Sequence, residues 1–372
     1  MKVFLVGGSV RDELLRLPVQ DRDYVVVGSD PEEMVNEGFR PVGADFPVFL
    51  HPETHEEYAL ARTERKTAPG YRGFTFHASR EVTLEEDLKR RDLTINAMAR
   101  AQDGALVDPH GGEADLRAGV LRHVSDAFAE DPVRILRVAR FAARFGFAVA
   151  PETLKLMRRM VDNGEADALV PERVWQEVSR GLMEKTPSRM LAVLRECGAL
   201  ARVLPEVDEV FERPEEPEHL AARLEHAAAR GYSLPVRYAL LVLDLEPGSA
   251  MALAQRINAP SDCRELATLA IRERALACRR DLDAESTLGL LERSDAFRRP
   301  ERLDRLLEVI ECDTLAESPQ KLRPRAILTG ALEAARRVDA GEIARHNPGD
   351  IPDAVRRARL VAIANLQLPT GN

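Results

Sequence analysis

The stretch from Met1 to Val27 constrains the fold of this chain more than any other part of the sequence. Two glycines that directly follow a strand let a ligand come close to the backbone, and the amide groups that open a helix favour phosphate. The stretch therefore predicts a polyphosphate site, to which Arg11 adds a charged fork. The predicted pieces are a strand, a Gly-Gly turn, a short helix and a strand led by two aspartates: Val3–Val6, Gly7-Gly8, Ser9–Asp12 and Asp21–Val27.

Asp21 and Asp23 predict a metal site beside these phosphates. Residues two apart on a strand point to one face, so the two carboxylates are expected side by side, where they repel each other unless a cation lies between them. Mg²⁺ together with nucleotide phosphates is the usual occupant, and it can activate an attacking hydroxyl and neutralise a leaving pyrophosphate. Either motif alone is more often an ordinary turn or a solvated loop, and it is their conjunction that favours catalysis.

Length and charge limit the alternatives. The 372 residues suffice for two or three domains. The formal net charge of −9 weakens the case for a nucleic-acid binder, although a local basic surface is enough for binding. The four cysteines have no paired spacing, which is typical of reduced thiols. No stretch is long and apolar enough for a signal peptide or a membrane span, so we expect a soluble, cytoplasmic protein without a membrane partner.

Apolar patterning predicts an α+β fold with two parts of different character. The first part, up to about residue 117, mixes short strands and helices, whereas the remainder has helical periodicity throughout. One predicted loop is rich in Arg, Lys, Gly and aromatic residues, and we expect it to close over a nucleotide. The predicted elements of the first part are helices Pro31–Gly38 and Leu84–Arg100, strands Val48–His51, Glu57–Ala61 and Leu106–Pro109, and the loop Thr63–Ser79.

The clearest helix of the second part begins at Pro132. Asp131 before the proline is a natural N-cap. Four arginines then recur along one side of the helix, where few acidic residues accompany them. A solvated basic face and a bound polyanion both fit such a row, and the shortage of acidic partners favours the polyanion. These arginines are Arg134, Arg137, Arg140 and Arg144.

Asp131 and Arg134 suggest how a base is selected. Cytosine and adenine both present an amino group beside an unprotonated ring nitrogen, which a carboxylate and a guanidinium can bind. Uracil and guanine present a carbonyl instead of the amino group, so the carboxylate rejects them. Alternatively, Asp131 is only a helix cap. Arg90-Arg91-Asp92 is either a phosphate or ribose contact or a solvated cluster, and Asn96 is either a ligand contact or a buried structural amide.

Four motifs in this order closely resemble those of the class II tRNA nucleotidyltransferases, which are the CCA-adding enzymes and their poly(A) polymerase relatives. The resemblance implies a polymerase-β-like nucleotidyltransferase head over 1–121, a helical neck over 122–204 that recognises nucleotide and base, and a helical body and tail over 205–372 that binds tRNA. The motifs are Gly7-Gly8-x-Val10-Arg11-Asp12, Asp21-x-Asp23, Arg90-Arg91-Asp92-x-x-Ile95-Asn96-Ala97 and Glu130-Asp131-x-x-Arg134-x-x-Arg137-x-x-Arg140-Phe141.

The resemblance also implies roles for individual residues. Asp21 and Asp23 correspond to the catalytic Mg²⁺ ligands, and Glu57 is similar to a further acid of the active site. No nucleic-acid template is implied, so the protein itself selects the base. The implied nucleotide-binding residues are Gly8, Arg11, Arg91, Arg137 and Arg140, and the implied base-reading pair is Asp131 and Arg134.

The C-terminal part departs from its bacterial relatives. Members with similar motif spacing carry an HD phosphohydrolase domain, in which a metal-binding His-Asp follows an apolar stretch. Here Val236–Leu245 resembles that stretch, but Leu243 stands where the histidine belongs, and Asp244 alone cannot replace the metal site. We therefore expect a degenerate HD-like region without phosphohydrolase activity.

Taken together, we expect a Mg²⁺-dependent enzyme that adds or repairs the 3′-terminal CCA of tRNA from CTP and ATP and releases pyrophosphate. Enzymes that add only the terminal A or only CC, and poly(A) polymerases, use the same chemistry. Members that add only CC have a shortened loop after the first motif, whereas the Thr63–Ser79 loop is present, and the sequence ends without the basic extension frequent in poly(A) polymerases. A non-catalytic RNA-binding relative is the alternative of another class, against which Asp21, Asp23 and Arg11 argue.

Overall fold

The computed structural model describes residues 1–19, 21–42, 48–66, 74–279, 282–317, 324–346 and 349–366. The chain divides into two compact units. The N-terminal unit comprises Met1–Gly181 and Arg189–Val203, and the C-terminal unit comprises Leu182–Ser188 and Leu204–Asn372.

Nine of the eleven described strands lie in the first part of the chain, and two short ones follow it. They are β1 (Lys2–Val6), β2 (Asp23–Val27), β3 (Arg40–Val42), β4 (Val48–Leu50), β5 (Glu57–Leu60), β6 (Arg62–Lys66), β7 (Phe74–Ala78), β8 (Ala99–Ala101), β9 (Leu106–Val107), β10 (Val120–Leu121) and β11 (Ala148–Val149).

Most of the described α-helices lie from residue 112 onward, and three precede it. They are α1 (Gly8–Leu14), α2 (Pro31–Asn36), α3 (Leu84–Lys89), α4 (Gly112–Ala118), α5 (Val133–Phe145), α6 (Pro151–Asp162), α7 (Pro171–Leu182), α8 (Pro187–Glu196), α9 (Leu200–Val203), α10 (Pro205–Asp208), α11 (Glu216–Ala229), α12 (Leu234–Leu241), α13 (Pro247–Arg256), α14 (Ser261–Ala277), α15 (Ala284–Arg293), α16 (Pro300–Glu317), α17 (Pro324–Arg336), α18 (Ala340–His346) and α19 (Ile351–Ala364).

A mixed seven-stranded sheet in the order β3-β4-β5-β2-β1-β8-β9 organises the N-terminal unit. The central strand of this sheet, β2, runs antiparallel to β1 and parallel to β5. Asp23 therefore lies opposite Val6 on one side and Glu57 on the other. Because Gly7 follows Val6 directly, the Gly-Gly turn and Asp23 lie at the same end of the sheet. The predicted order of strand, Gly-Gly turn, short helix and strand is therefore confirmed, although β2 begins at Asp23 and does not include Asp21.

Neighbouring side chains along β2 point to opposite faces of the sheet, and both faces are packed against apolar residues. Val25 packs into an apolar cluster with Val6 and Leu88, whereas Val26 packs into a second cluster with Met34 and Phe49. A sheet covered on both faces is held rigidly, which suits a site built at the end of its central strands.

The helix predicted over Leu84–Arg100 is wrong beyond Lys89, where α3 ends. The Asp92 carboxylate accepts a hydrogen bond from the Leu93 N–H at 2.8 Å, a local bond that competes with helix formation. The Thr94 N–H then donates to the carbonyl of Arg122 at 2.9 Å, so the backbone bonds to a distant segment. A single 3₁₀ turn and strand β8 follow instead of a longer helix.

The loop predicted over Thr63–Ser79 is wrong at both ends. Strands β6 and β7 pair there in antiparallel register, with Arg62 opposite Ala78. The sequence of β6, Arg-Thr-Glu-Arg-Lys, has no apolar residue with which to signal a strand. Residues 67–73 lie outside the described residues, and the closure over a nucleotide stays a prediction.

Helices account for nearly all of the second part, as predicted, apart from the short parallel pair of β10 and β11. In the C-terminal unit, α12 is buried over Pro235–Leu241 and packs against α14 and α16. Within the described ranges, none of the helices combines the length and the apolar character that crossing a membrane requires.

Candidate active site

The Gly7-Gly8 turn brings the backbone against Arg91. Gly7 has a φ of 72°, a conformation that residues with a Cβ rarely adopt. A Cβ at this position would lie 2.8 Å from Nη1 of Arg91. Helix α1 then begins at Gly8, next to this guanidinium. A glycine is therefore needed at position 7 if Arg91 is to keep its place.

Asp21 and Asp23 lie close enough to influence each other, but not for the predicted reason. Strand β2 begins only at Asp23, so alternation along a strand does not align the two carboxylates. Burial raises the pKa of Asp23, the positive charge of Arg91 opposes this, and the negative charge of Asp21 adds to it. Both residues expose much of their surface, and neither has a hydrogen-bond or ion-pair partner for its side chain in the part of the chain that the structure describes.

These two carboxylates fit a hard divalent cation that arrives with its substrate. No group of three or more His, Cys, Asp or Glu side chains within the described ranges could hold a metal. Mg²⁺, however, commonly takes one or two carboxylates and completes its shell with phosphate and water. The register of β2 and β5 places Glu57 on the neighbouring strand, beside Asp23. The donor set therefore fits Mg²⁺ bound together with nucleotide phosphates.

Arg11 is held inside the protein. Its residue is only 3% exposed, and its donors reach Asp12 at 2.8 Å and the Asn96 side-chain oxygen at 2.5 Å. The rings of Phe141 and Phe145 lie 5.2 and 5.0 Å from its guanidinium carbon. Burial lowers the pKa of Arg11 although Asp12 opposes the change. In this structure Arg11 braces the site, and its predicted phosphate contact stays a prediction.

Asp92 connects Asn96 to helix α5. Its carboxylate accepts from the Asn96 amide at 3.1 Å and from Arg137 Nε at 2.7 Å. Burial alone would raise the pKa of Asp92, but Arg137, Asn96 and Arg134 together hold it well below its usual value. Asn96 is thus the buried structural amide of the two alternatives, and it orients both Arg11 and Asp92.

Arg91 retains a donor for a ligand. Its Nη2 donates to the buried Asp87 at 3.2 Å. Its Nε is buried and has no hydrogen-bond partner among the residues that the structure describes. A buried unsatisfied donor is costly, so an arriving phosphate oxygen would relieve it.

The expected shortage of acidic partners along α5 is wrong. Arg137, Arg140 and Arg144 pair with Asp92, Glu177 and Asp12 at 2.7, 2.6 and 3.0 Å. These carboxylates come from other segments and were invisible in the local pattern. The row of arginines therefore ties α5 to the head and to α7, and only part of each guanidinium is left for a polyanion.

Asp131 and Arg134 are not paired with each other. Asp131 accepts a bidentate ion pair from Arg173 at 2.9 and 2.8 Å, and it also caps α5 by accepting from the Val133 N–H at 3.1 Å. Arg134 is buried and donates to the carbonyls of Ala127 and Arg90, both at 2.9 Å. Base reading by these two residues stays a prediction, and it requires Asp131 to exchange partners.

Sequence reasoning missed two groups of residues that hold the site. Asp87 supports Arg90 and Arg91, and its i, i+4 spacing to Arg91 was a usable signal. Arg173 and Glu177 of α7 clamp Asp131 and Arg140. Their own i, i+4 spacing shows that they share a helix face, but nothing in the sequence says what that face meets.

The predicted HD-like remnant in the C-terminal unit holds four charged groups instead of a metal site. Asp244 accepts from Arg223 and, at 2.7 Å, from Arg274, while Asp313 accepts from the same two arginines at 2.9, 2.6 and 2.8 Å. Burial alone would raise the pKa of Asp244, but the hydrogen bonds and charge of Arg223 and the charge of Arg274 lower it. Leu243 is buried beside this charge cluster. Both carboxylates are therefore neutralised by guanidinium groups.

Comparison with known families defines the class of the protein. Residues 3–122 match the poly A polymerase head domain, and residues 146–211 match the probable RNA and SrmB-binding site of polymerase A. The N-terminal unit is therefore a nucleotidyltransferase head of the polymerase type followed by helices, as the sequence predicted.

Relatives that match nearly the whole chain define its family more closely. The multifunctional CCA proteins of Azoarcus sp. (strain BH72) and Burkholderia mallei (strain SAVP1) are each 55% identical to the chain, over 99% and 98% of its length and 98% of theirs. The chain belongs to this family of multifunctional CCA proteins.

Solved structures confirm the fold. The Bacillus stearothermophilus CCA-adding enzyme in complex with CTP superposes with a TM-score of 0.71 at 23% identity, over 97% of this chain and 88% of that one. A CCA-adding enzyme in its apo form II gives a TM-score of 0.69 at 22% identity, over 99% and 89%. The predicted α+β architecture of a polymerase-β-like head and a helical body is confirmed.

Proposed function

We propose that the protein is a CCA tRNA nucleotidyltransferase that adds or repairs the 3′-terminal CCA of tRNA from CTP and ATP. The observation that carries this proposal is the unpartnered carboxylate pair, Asp21 and Asp23, beside the Gly7-Gly8 turn. It lies in a chain whose family is shown by 55% identity over nearly its whole length. The same proposal places the protein in the cytoplasm, where tRNA is the substrate.

The reaction is a single displacement at phosphorus. The tRNA 3′-hydroxyl oxygen forms a bond to the α-phosphorus of the nucleotide, the bond to the bridging oxygen breaks, and pyrophosphate leaves. Asp21 and Asp23 hold Mg²⁺ in this proposal, with Glu57 as a further acid beside them. When bound, Mg²⁺ lowers the pKa of the attacking hydroxyl and stabilises charge on the phosphoryl oxygens.

The nucleotide is bound by the turn and by the arginines that frame it. The backbone at Gly8 and the partly exposed guanidinium of Arg91 meet the triphosphate directly. Arg11, Arg137 and Arg140 contribute positive charge around the nucleotide, while their carboxylate partners fix their positions. Because each pair is already formed, little ordering is required when the nucleotide arrives.

Asp131 and Arg134 select the base once Asp131 releases Arg173. Asp131→Ala is then expected to abolish the preference for C and A over U and G, because the acceptor that discriminates is gone. Arg173→Ala is the matched control, since it removes the ion pair and keeps the acceptor. If Asp131→Ala leaves the nucleotide preference unchanged, Asp131 is only a helix cap.

We assign the head, neck and body to residues 1–121, 122–204 and 205–372, with the body and tail binding tRNA. The assignment is supported by the family match over residues 3–122, which ends beside the first boundary. The charge cluster around Asp244 supports a body that has no phosphohydrolase activity, because neither carboxylate is available to a metal.

One experiment tests the function. Purified protein with Mg²⁺ is given tRNA transcripts that end before CCA, after C or after CC, with labelled CTP, ATP, UTP or GTP, alone and with CTP and ATP together. Three nucleotides added to the shortest transcript, ending in A, confirm the proposal. A alone on the CC-ended transcript indicates an A-adding enzyme, CC alone a CC-adding enzyme, and long A tails a poly(A) polymerase. No incorporation at all refutes catalysis and leaves an RNA-binding relative.

A further inference from the structure

A cleft of about 610 Å³ in the C-terminal unit is lined by arginines from three elements. This volume is within the range of sites for discrete ligands, and the walls combine arginines with the apolar side chains of Met251 and Leu269. Helix α14 supplies two of the arginines, the end of α15 one, and the start of α16 with its preceding turn two. These are Arg264, Arg272, Arg293, Arg299 and Arg302.

The wall formed by α14 is one continuous face of that helix. Ser261, Arg264, Thr268 and Arg272 follow the i, i+3, i+4 spacing that stacks side chains on one side. The Thr268 hydroxyl already donates to the Arg264 carbonyl at 2.8 Å, so the donors that this face offers to phosphate oxygens are the guanidinium groups and the Ser261 hydroxyl.

Glu273 fixes two of these arginines in place. It is 1% exposed and accepts from Arg272 at 2.7 Å and from Arg293 at 2.8 Å through each of its oxygens. Burial alone would raise the pKa of Glu273, but the hydrogen bonds from Arg293 and Arg272 lower it. One carboxylate thus holds two guanidiniums that come from different helices, α14 and α15.

The remaining charges leave the cleft positive. Arg302 lies 3.5 Å from Glu265, and Arg299 lies 3.7 Å from Asp295. Arg264 is exposed and has no ion-pair partner among the described residues. Five guanidiniums therefore face three carboxylates, in a chain whose overall charge is −9.

We propose that this cleft is a second phosphate-binding site, separate from the nucleotide site of the head. Its ligand is a run of phosphate groups, which either an RNA strand or a free polyphosphate supplies. The RNA source rests on the proposed function, because that function brings tRNA to the protein. Arginines spread over several walls match successive phosphates of a strand, and they bind through charge without reading sequence.

The test changes arginines that have no buried partner. The full chain carrying Arg264→Gln and Arg299→Gln is compared with the wild type and with Arg40→Gln/Arg117→Gln, which removes the same charge from exposed sites of the N-terminal unit that have no assigned role in binding. Thr268→Glu is the second variant, because it adds a negative charge to the cleft wall and leaves every arginine in place. Thermal unfolding checks that all variants fold.

The first measurement is the affinity for a tRNA that ends before CCA, as a function of salt concentration and without nucleotide. Both cleft variants are expected to bind about tenfold more weakly than the control. Loss of two phosphate contacts should also make the slope of log K against log salt shallower by about 1.5, since each contact contributes roughly 0.7–0.9. The second measurement titrates inorganic pyrophosphate into the same proteins without RNA or divalent cations.

Each outcome decides the matter. Weaker tRNA binding, with or without weaker pyrophosphate binding, assigns the cleft to an RNA strand, and weaker pyrophosphate binding with unchanged tRNA binding assigns it to a free polyphosphate. If both cleft variants match the control in both measurements, the proposal is refuted. Nucleotide addition by the wild type is followed in parallel: its absence refutes the proposed function and leaves the result on the cleft readable.

Discussion

Each unit of the protein contains two neighbouring aspartates, and the two pairs are treated in opposite ways. In the N-terminal unit, Asp21 and Asp23 expose much of their surface, and the pKa of Asp23 is raised by burial and by Asp21. In the C-terminal unit, Asp244 and Asp313 are buried between Arg223 and Arg274, and the pKa of Asp244 is lowered despite burial. An acidic pair is therefore available to a cation only where the protein supplies no cation of its own.

The largest expected effect comes from the open pair. Asp23→Asn should reduce nucleotide addition by at least about 1,000-fold, because a metal contributes several kcal/mol to the transition state and each 1.36 kcal/mol is a factor of ten. tRNA affinity should remain, and Mg²⁺ should no longer raise the melting temperature of the nucleotide-bound protein. The exposed residue Asp103 provides the control, Asp103→Asn. Full activity in Asp23→Asn would remove the distinction between the two pairs.

The closed pair should affect folding instead. Arg223→Met leaves two buried carboxylates with one guanidinium, and breaking a buried pair costs about 3–5 kcal/mol of unfolding free energy. Arg230→Met, in the same unit, removes an exposed arginine 3.8 Å from Glu311 and should leave the free energy of unfolding nearly unchanged. Urea denaturation followed by circular dichroism measures both.

Fluorescence sharpens that experiment, because the only tryptophan of the chain, Trp175, lies in the N-terminal unit. A shift in the dichroism transition with unchanged fluorescence locates the damage in the C-terminal unit. Wild-type stability in Arg223→Met would mean that the charge cluster contributes nothing to the fold.

The two pairs should also respond to pH with opposite signs. The lowered pKa of Asp244 contributes stability that is complete above its ordinary pKa of about 4 and is lost as the pH falls below it. The raised pKa of Asp23 instead costs stability once the pH exceeds about 4. Asp23→Asn should therefore melt slightly higher than the wild type at pH 7 and match it near pH 3. A difference of the opposite sign would contradict the assigned direction for Asp23.

The last prediction is that the wild type has no phosphohydrolase activity. With Ni²⁺ or Mn²⁺ present, the wild type should release phosphate from p-nitrophenyl phosphate no faster than a buffer blank, because both carboxylates of the charge cluster are already neutralised. Release that disappears in Asp244→Asn would show that the pair can open to a metal.

Local signals explain what the sequence could predict. The Gly-Gly turn, the helix that begins at Pro31 and the apolar runs of β1 and β2 depend on neighbours within a few residues, and all of them are confirmed. The helix predicted over Leu84–Arg100 failed because its continuation was decided elsewhere, by the pairing of Leu93 with His123.

Partners that are distant in sequence explain what it could not predict. Arg173 lies 42 residues after Asp131, and Glu177 lies 37 residues after Arg140. No spacing rule connects such pairs, so the row of arginines on α5 seemed unpaired when only the sequence was considered. Only the fold shows that these guanidiniums are already engaged, and that Asp131 has a partner to release before it can read a base.

The charge cluster of the C-terminal unit also bears on how the protein depends on its surroundings. With Arg223 and Arg274 built in as counter-ions, the Asp244–Asp313 cluster needs no metal ion to hold its two carboxylates together, and a chelator should leave it intact. Metal scarcity is expected to act where the Asp21–Asp23 pair would hold the ion that accompanies each incoming nucleotide. The folding of the C-terminal unit and the catalytic turnover of the enzyme should therefore respond differently to the supply of metal ions.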